Sequence, residues 1–312
     1  MGPAGRGMDA AMLDACAAAA EAAADAAGAV IRPYFRTGLG ADRKTDSSPV
    51  TEADRGAEQA MRRVLEQRFP EHGILGEEFG LHNAAAPLRW VLDPIDGTRA
   101  FITGRPVFGC LVALLEGERP LLGVIDQPVT GERWVGVAGR PTRFAGPFGG
   151  RVGVRPCPAL AQAELSCTSP QMFGDELGQW QRLSAAAGRT SFGGDCYAYG
   201  LLALGQIDVI AEADLKVWDW AALVPVIEGA GGRVTWGGDC YAYGLLALGQ
   251  IDVIAERDLK PWDWAALGPV IEGAGGLLRD WSGRRLTAES AGDALAVGDP
   301  ALLEAAAACL AG

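Results

Sequence analysis

Hydrophobic and polar residues follow one another along the chain in a pattern that predicts two N-terminal helices. An alanine-rich stretch predicts a first helix over residues 8–36, and a second helix is predicted to begin near Thr51. The second helix has apolar residues at the i, i+3, i+4, i+7, i+8 spacing, which places them on one face against a core. These residues are Ala57, Ala60, Met61, Val64 and Leu65. The polar segment Thr37–Pro49 is predicted to be a loop.

Short apolar runs predict strands after the second helix. One strand is predicted at Gly73–Gly76 and another at Leu88–Leu92, while Val107–Leu115 and Leu121–Ile125 predict a hairpin that turns at Gly117. The second half of the chain mixes both element types. Its predicted elements are a helix near 197–204, a strand at Ile207–Ala211, and helices at Trp218–Ala230 and Pro300–Leu310. This mixture predicts an α/β fold.

Two segments of the second half, 193–232 and 237–276, are near-copies of each other. They begin 44 residues apart and differ at only three of 40 positions, which predicts a tandem duplication. A fold that needs one such unit has no place for the second. We therefore expect the first copy, the second copy or a hybrid of the two to occupy this place in the fold, with 44 residues left as surplus. We expect an N-terminal α+β half at 8–150 and a C-terminal α/β half at 151–312 that contains the duplication.

Composition and charge exclude several classes of protein. The 312 residues carry a net charge of −12, and such an acidic surface repels phosphate backbones, so nucleic-acid binding is not expected. Two histidines and seven scattered cysteines argue against zinc sites, a Ser-His-Asp triad and a disulfide framework. A reduced, cytoplasmic setting is expected. No apolar stretch predicts a membrane span.

The strongest chemical signal is the sequence Asp-Pro-Ile-Asp-Gly-Thr at residues 93–98, directly after the second predicted strand. The proline pre-sets a turn, so Asp93 and Asp96 converge in a small volume where their repulsion needs a cation. Gly97 and Thr98 allow a helix to begin, and its free backbone N–H groups can hold a phosphate. Hard oxygen ligands at this density suit Mg²⁺. The alternative is a turn in which aspartate serves only as a local cap.

Two other acidic segments precede this turn. Glu77 and Glu78 follow the first predicted strand, where such a pair alone would be a solvated loop. Thr51 and Asp54 have the spacing of a helix capping box. Asp54 could also polarise a hydroxyl or a water, and the two roles are compatible.

Further candidates lie in the near-copies and in the polar loop. Asp219, and Asp263 in the second copy, each stand between two tryptophans at a helix start. Each is either an acid stabilised by the helix dipole or a further metal ligand. Glu212 ends the preceding strand as an ordinary polar residue or as a substrate contact. Lys44 either meets the phosphate or its metals, or is a surface lysine.

Taken in order, these motifs resemble the inositol monophosphatase superfamily of Mg²⁺-dependent phosphatases. The resemblance runs from about residue 8 to the C-terminus. The matching segments are Lys44, 50–54, 76–78, 90–98 and Trp218-Asp219 with the helix and Gly-Gly that follow. Residues 96–104 and 193–200 look like the histidinol-phosphatase branch. The resemblance implies a layered αβαβα sandwich and a homodimer.

The resemblance also implies two or three Mg²⁺ ions and their ligands. The ligands of one ion would be Glu77, Asp93 and the carbonyl oxygen of Ile95. Those of a second would be Asp93, Asp96 and one of Asp219 and Asp263. A third, weaker ion would be held by Glu77 and waters.

The same resemblance implies the catalytic and substrate-binding groups. Asp54 and Thr98 would orient and activate the attacking water, while the N–H groups of Gly97 and Thr98 would hold the phosphate. The branch motifs imply that the substrate is L-histidinol phosphate, an intermediate of histidine biosynthesis. Asp195 and Glu212 could pair with the ammonium and imidazole groups of this substrate.

Two alternatives remain open. Acids also bind hydroxyl groups, so an inositol-1-monophosphatase or a related sugar or nucleotide phosphatase is the nearest alternative. A non-catalytic homologue disrupted by the duplication is the alternative of another class. The sequence leaves open which copy supplies the Trp-Asp ligand. We favour the first copy, because it emerges first during synthesis.

Overall fold

The computed structural model describes residues 8–37, 42, 43, 49, 50, 52–234, 243, 246–248, 253–256, 259–287 and 289–310. The chain forms two compact units: unit 1 ends at Arg233 and unit 2 begins at Val234. This division differs from the predicted halves at 8–150 and 151–312. Those halves were defined by the positions of the sequence motifs, and they stay a prediction. The first near-copy lies in unit 1, and the second lies in unit 2.

Two helices pack together at the start of unit 1. Helix α1 spans Ala10–Ile31 and α2 spans Glu52–Arg68. The predicted first helix was too long, because Pro33 lacks the backbone N–H and α1 gives way to a 3₁₀ turn at Arg32–Tyr34. Four of the five predicted stripe residues of α2 are buried, and Val64 packs against the same core. The predicted amphipathic helix is therefore confirmed.

The strands of the first part of unit 1 form two sheets. In chain order the elements are β1 (Asp42–Arg43), β2 (Pro49–Val50), β3 (Gly73–Gly76), β4 (Gly80–His82), β5 (Leu88–Asp96), the helix α3 (Thr98–Ile102), β6 (Gly109–Glu116), β7 (Arg119–Gln127), β8 (Glu132–Val137) and β9 (Arg143–Ala145). Strands β1 and β2 pair with each other, and the others form a sheet of order β4-β3-β5-β6-β7-β8-β9. Only β3 and β5 run parallel in that sheet. The predicted hairpin is confirmed as β6–β7, with Gly117 at a φ of 60° in its turn.

The first near-copy lies in the second part of unit 1. This part contains β10 (Glu164–Cys167), α4 (Leu177–Ala186), β11 (Arg189–Phe192), α5 (Asp195–Ala203), β12 (Val209–Ile210), α6 (Val217–Trp220) and α7 (Leu223–Gly229). The three strands form a parallel sheet of order β11-β10-β12. Helix α7 packs on β7 and β8. A Cβ atom at Gly123 of β7 would lie 1.9 Å from the carbonyl oxygen of Ala222, so only glycine permits this approach. The approach anchors the segment that carries Asp219.

Unit 2 contains the second near-copy and the C-terminal elements. They are β13 (Val253–Glu256), α8 (Pro261–Trp264), α9 (Leu267–Gly273), β14 (Leu277–Asp280), β15 (Ala294–Val297) and α10 (Leu303–Leu310). The strands form an antiparallel sheet of order β13-β15-β14. The α/β class predicted for the chain is confirmed. Among the described residues, no helix is both long and apolar enough to cross a membrane.

Candidate active site

The turn at residues 93–98 lies at the end of β5, which is longer than predicted because its last residues still pair with β6. The register of this pairing shifts between Asp93 and Asp96, as in a β-bulge. Gly97 follows in the left-handed conformation, with φ 89° and ψ 38°, and α3 begins at Thr98. The Thr98 hydroxyl donates a hydrogen bond to the carbonyl oxygen of Ile95 at 3.1 Å. Strand, turn and helix start therefore occur in the predicted order.

Three carboxylates meet at this turn. One oxygen from each of Asp93, Asp96 and Asp219 lies within 4.8 Å of the others, the spacing of a potential metal site. Asp219 reaches the cluster from α6, where its Oδ2 also accepts the Lys216 N–H at 2.7 Å. Asp219 is thus a helix-capping acid and a member of the cluster at the same time.

A second acidic cluster brings the other predicted acids together. Carboxylate oxygens of Asp54, Glu77 and Glu78 lie within 4.8 Å of one another. Asp54 is completely buried in the first turn of α2, and Glu77 follows β3, where its N–H donates to the Leu92 carbonyl at 3.3 Å. The paired strands β3 and β5 therefore place the two clusters near the same end of the sheet.

The electrostatics of the clusters favour a bound cation. Burial raises the pKa of Asp93 well above its usual range, and repulsion from Glu77, Asp96, Asp54 and Asp219 raises it further. Burial, together with the charge of nearby Asp195, raises the pKa of Asp96 as well. The pKa of Asp219 rises to about 6, mainly because of burial. A divalent cation would relieve this repulsion.

The donor set also fits a hard cation. Asp93 is only 2% exposed, and its Oδ1 has no hydrogen-bond partner among the described residues. A buried carboxylate oxygen without a partner is costly unless an ion or a water satisfies it. All donors of both clusters are carboxylate oxygens, which is the ligand type that Mg²⁺ prefers.

A cavity of about 170 Å³ opens beside the first cluster. Acidic, hydroxyl-bearing and apolar side chains line it: Asp96, Thr168, Met172, Asp195, Cys196, Tyr199, Glu212, Leu215, Asp219 and Leu223. The predicted substrate contacts Asp195 and Glu212 therefore lie in one cavity with Asp96 and Asp219.

The carboxylate of Glu212 is held in a fixed orientation in this cavity. Its Oε1 accepts the Thr168 N–H at 2.9 Å, and its Oε2 accepts the Tyr199 hydroxyl at 2.9 Å. Asp195 has a positive φ of 43°, and a Cβ at Gly97 would lie 2.9 Å from its Cγ. Burial and Glu212 raise the pKa of Asp195 to about 6, against the opposing effect of Arg105 and Arg99. A positively charged group in the cavity would stabilise the ionised form of Asp195.

The sequence did not single out several groups that support the site. The Cys196 N–H donates to Asp96 Oδ2 at 2.5 Å, and Tyr199 and Thr168 orient Glu212. Burial raises the pKa of the Cys196 thiol well above its usual value, so the thiol stays protonated and is a poor nucleophile. The contacts of Cys196 and Thr168 join residues 100 and 44 positions apart, so no local pattern indicates them, whereas Cys196 and Tyr199 lie in the segment 193–200 that resembles the histidinol-phosphatase branch.

The predicted roles of two site residues, Asp263 and Lys44, stay open. Asp263 lies in unit 2, where its Oδ2 accepts the Lys260 N–H at 2.8 Å, just as Asp219 accepts the Lys216 N–H. Lys44 lies outside the described residues, as does Thr51. Their predicted roles stay predictions.

Comparisons with known proteins identify the family to which the chain belongs. The model of the inositol monophosphatase family matches residues 12–238 and, a second time, residues 235–311. A bifunctional phosphatase of Arabidopsis thaliana chloroplasts, IMPL2, is 49% identical over 220 residues, which cover 70% of this chain and 63% of the plant protein. The chain thus spans less than two thirds of that relative.

Two further proteins cover more of their own length. A histidinol-phosphatase of Chlorobaculum parvum is 36% identical over 66% of this chain and 79% of its own. The solved structure of an inositol monophosphatase from Zymomonas mobilis is 42% identical, with a TM-score of 0.56 over 98% of this chain and 100% of that one. The protein belongs to the inositol monophosphatase family, as the resemblance of its motifs predicted.

Proposed function

We propose that this protein is a Mg²⁺-dependent phosphatase that hydrolyses L-histidinol phosphate to L-histidinol and phosphate, as a step of histidine biosynthesis in the cytoplasm. Membership of the family supports hydrolysis of small phosphate monoesters. The observation that carries the proposal is the meeting of Asp93, Asp96 and Asp219 beside a cavity lined by two further acids. The similarity to a histidinol-phosphatase supports the choice of substrate.

In this proposal Asp93, Asp96 and Asp219 hold one Mg²⁺, and Glu77, Asp93 and the Ile95 carbonyl hold another. A weaker third ion would be held by Glu77. Bound Mg²⁺ supplies Lewis-acid neutralisation of the charge on the phosphoryl group.

The other groups of the site act on the water and on the phosphate. The Thr98 hydroxyl, which the Ile95 carbonyl orients, positions the attacking water, and buried Asp54 accepts its proton. The N–H groups of Gly97 and Thr98 face the phosphate oxygens. Lys44 would add positive charge. No covalent intermediate is required, in accord with the raised pKa of the buried Cys196 thiol.

Replacing Glu212 by Gln tests the choice of substrate. Because Glu212 would face a cationic substrate group, we expect KM for histidinol phosphate to rise about tenfold or more, a change of about 1.4 kcal/mol. KM for inositol 1-phosphate, which has no cation, should change much less. Steady-state kinetics with both substrates measures the difference.

The second copy offers a matched control for this variant. Glu256 accepts the Tyr243 hydroxyl at 2.9 Å, as Glu212 accepts that of Tyr199, but Glu256 lies in unit 2. Glu256→Gln should leave both KM values unchanged. Equal effects of Glu212→Gln on both substrates would contradict the role of this residue in binding the cation.

An inositol monophosphatase is the second candidate, favoured by the 42% identity to the Zymomonas mobilis protein. Assays of the purified protein on histidinol phosphate, inositol 1-phosphate and adenosine 3′,5′-bisphosphate distinguish the candidates by kcat/KM. A folded protein that releases no phosphate from any of them with Mg²⁺ present would favour a non-catalytic homologue. The homodimer implied by the resemblance stays a prediction, and light scattering tests it.

The pH dependence of stability tests the acidic cluster without substrate. The pKa values of Asp93, Asp96 and Asp219 are raised in the folded chain, that of Asp219 to about 6. The folded protein therefore binds more protons than the unfolded chain between about pH 4 and pH 6, so its stability decreases as pH rises through this range. In EDTA, we expect the unfolding temperature to fall from pH 5 to pH 7.

Added Mg²⁺ should remove this trend, because protons and the cation compete for the same oxygens. Differential scanning fluorimetry at each pH, with EDTA or with Mg²⁺, measures both effects. If the unfolding temperature of metal-free Asp219→Asn changes between pH 5 and pH 7 just as that of the wild type does, the Asp219 carboxylate does not contribute to the trend.

A further inference from the structure

The turn that carries Glu77 and Glu78 is fastened to helix α2 by two side chains outside the acidic clusters. This turn connects β3 to β4 and ends at Gly80, which has a φ of 65°. The two fastening residues are Glu58 and Arg62, which lie one and two helical turns after Asp54.

Glu58 fixes the beginning of the turn. Its side chain is completely buried, and its Oε2 accepts the backbone N–H of Glu78 at 2.7 Å. A hydrogen bond from a backbone N–H to a carboxylate is among the stronger kinds in proteins. The main chain between Glu77 and Glu78 is therefore bound directly to α2.

Arg62 fixes the end of the turn and forms an ion pair with the Glu58 carboxylate. Its Nε donates to Glu58 Oε1 at 2.7 Å, and its Nη2 donates to the carbonyl oxygen of Gly80 at 2.5 Å. The Arg62 side chain is only 12% exposed, so solvent screens this ion pair weakly. Both sides of the turn are thus held by one pair of side chains.

The close approach of Glu58 explains the glycine at the end of β3. A Cβ atom at Gly76 would lie 2.0 Å from Glu58 Oε1, a distance that no side chain tolerates. Asp54, Glu58 and Arg62 are spaced at i, i+4 and i+8, so they share one face of α2. This face of α2 therefore contributes Asp54 to the second acidic cluster. It also fixes the turn that contributes Glu77 and Glu78.

We infer that Glu58 and Arg62 are positioning residues that hold the turn so that Glu77 can bind the proposed Mg²⁺ and stays beside Asp54, the proposed proton acceptor. The inference rests on the proposed metal-dependent function. Neither residue belongs to the two acidic clusters. They act through the backbone of the turn, as outer-shell groups do at metal sites, where losing one typically costs 10–100-fold in metal affinity.

The experiment measures binding of Mn²⁺, a spectroscopic substitute for Mg²⁺, by electron paramagnetic resonance in the full-length protein without substrate. We expect Glu58→Ala and Arg62→Met to weaken Mn²⁺ binding about tenfold or more. Glu58→Gln keeps an acceptor for the Glu78 N–H, so its effect should be smaller than that of Glu58→Ala. In assays, the Mg²⁺ concentration for half-maximal activity should rise by a similar factor, while kcat at saturating Mg²⁺ changes much less.

Asp126→Asn is the matched control, because Asp126 is also a buried acid bonded to an arginine. Its buried carboxylate accepts a hydrogen bond from Arg133 Nε at 2.7 Å. The other hydrogen bond of Arg133 goes to Asp25, whereas that of Arg62 goes to the turn with Glu77 and Glu78. This control should leave Mn²⁺ affinity unchanged, whatever its effect on the unfolding temperature. The inference is overturned if Glu58→Ala and Arg62→Met behave like the control.

Failure of the proposed function gives a different result. In that case the wild-type protein itself would bind no Mn²⁺ and would show no stabilisation by Mg²⁺. If Glu58→Ala does not fold, Arg62→Met and Glu58→Gln decide the question, since each of them keeps one half of the pair. Unchanged Mn²⁺ affinity in both of these variants also overturns the inference.

Discussion

Asn in place of Asp93 is expected to lower kcat/KM for phosphate-ester hydrolysis by about 10³-fold, the upper scale for losing one preorganised electrostatic group. Asp93 is the one acid that both proposed Mg²⁺ sites share. Asn has nearly the same shape but lacks the charge, so packing of the fully buried side chain should be preserved. Steady-state kinetics over a Mg²⁺ titration measures the loss, which saturating Mg²⁺ should not restore.

The same substitution should stabilise the metal-free protein. Burial and four neighbouring acids raise the pKa of Asp93, so its charged form is unfavourable in the folded state. Removing that charge should raise the unfolding temperature in EDTA at pH 7, while stabilisation by Mg²⁺ disappears. Lower activity together with higher metal-free stability distinguishes a ligand from a structural acid. A variant that is inactive and also less stable in EDTA would contradict this interpretation.

The features that the sequence predicted best depend on neighbours in the chain. The turn at 93–98 and the start of α3 follow from proline, glycine and an apolar strand within ten residues. The buried stripe of α2 follows from helical periodicity. Such local patterns place acids at a strand end or in a helix turn, which is why the acids of both clusters were predicted individually.

Contacts between distant segments could not be predicted in the same way. The hydrogen bond from the Glu78 N–H to Glu58 joins residues 20 positions apart, and that from Cys196 to Asp96 joins residues 100 apart. Neither contact leaves a periodic signal. In the sequence, Glu58 and Arg62 are indistinguishable from an ordinary i, i+4 ion pair on a solvated helix face.

The near-copies show the limit of local sequence most clearly. Val209–Ile210 and Val253–Ile254 have the same sequence and the same flanking residues, yet the first pair lies parallel to β10 and the second lies antiparallel to β15. In each copy the tyrosine and the glutamate keep their hydrogen bond of 2.9 Å. The interactions within a copy are therefore encoded locally, whereas the strand beside it depends on the rest of the chain.

This difference leads to a prediction about the two Trp-Asp helices. Asp219→Asn is expected to reduce kcat/KM by about 10²-fold or more, whereas Asp263→Asn should leave it within about twofold of wild type. Asp219 lies with Asp93 and Asp96, while Asp263 belongs to unit 2. Both carboxylates accept a capping N–H, at 2.7 and 2.8 Å, and Asn retains an acceptor for it. The two variants therefore affect helix capping alike, and only Asp219→Asn removes a charge from the cluster of Asp93, Asp96 and Asp219.

Deleting residues 233–276 provides the decisive control, because it joins Gly232 to Leu277 and leaves the first copy intact. The shortened chain should remain active, and Asp219→Asn should inactivate it by the same factor as in the full-length chain. If Asp219→Asn leaves the full-length protein active but inactivates the shortened chain, the second copy can supply the carboxylate when it is present. Asp219 would then be one of two interchangeable ligands, and the preference for the first copy would be wrong. Combining Asp219→Asn with Asp263→Asn would then abolish the remaining activity.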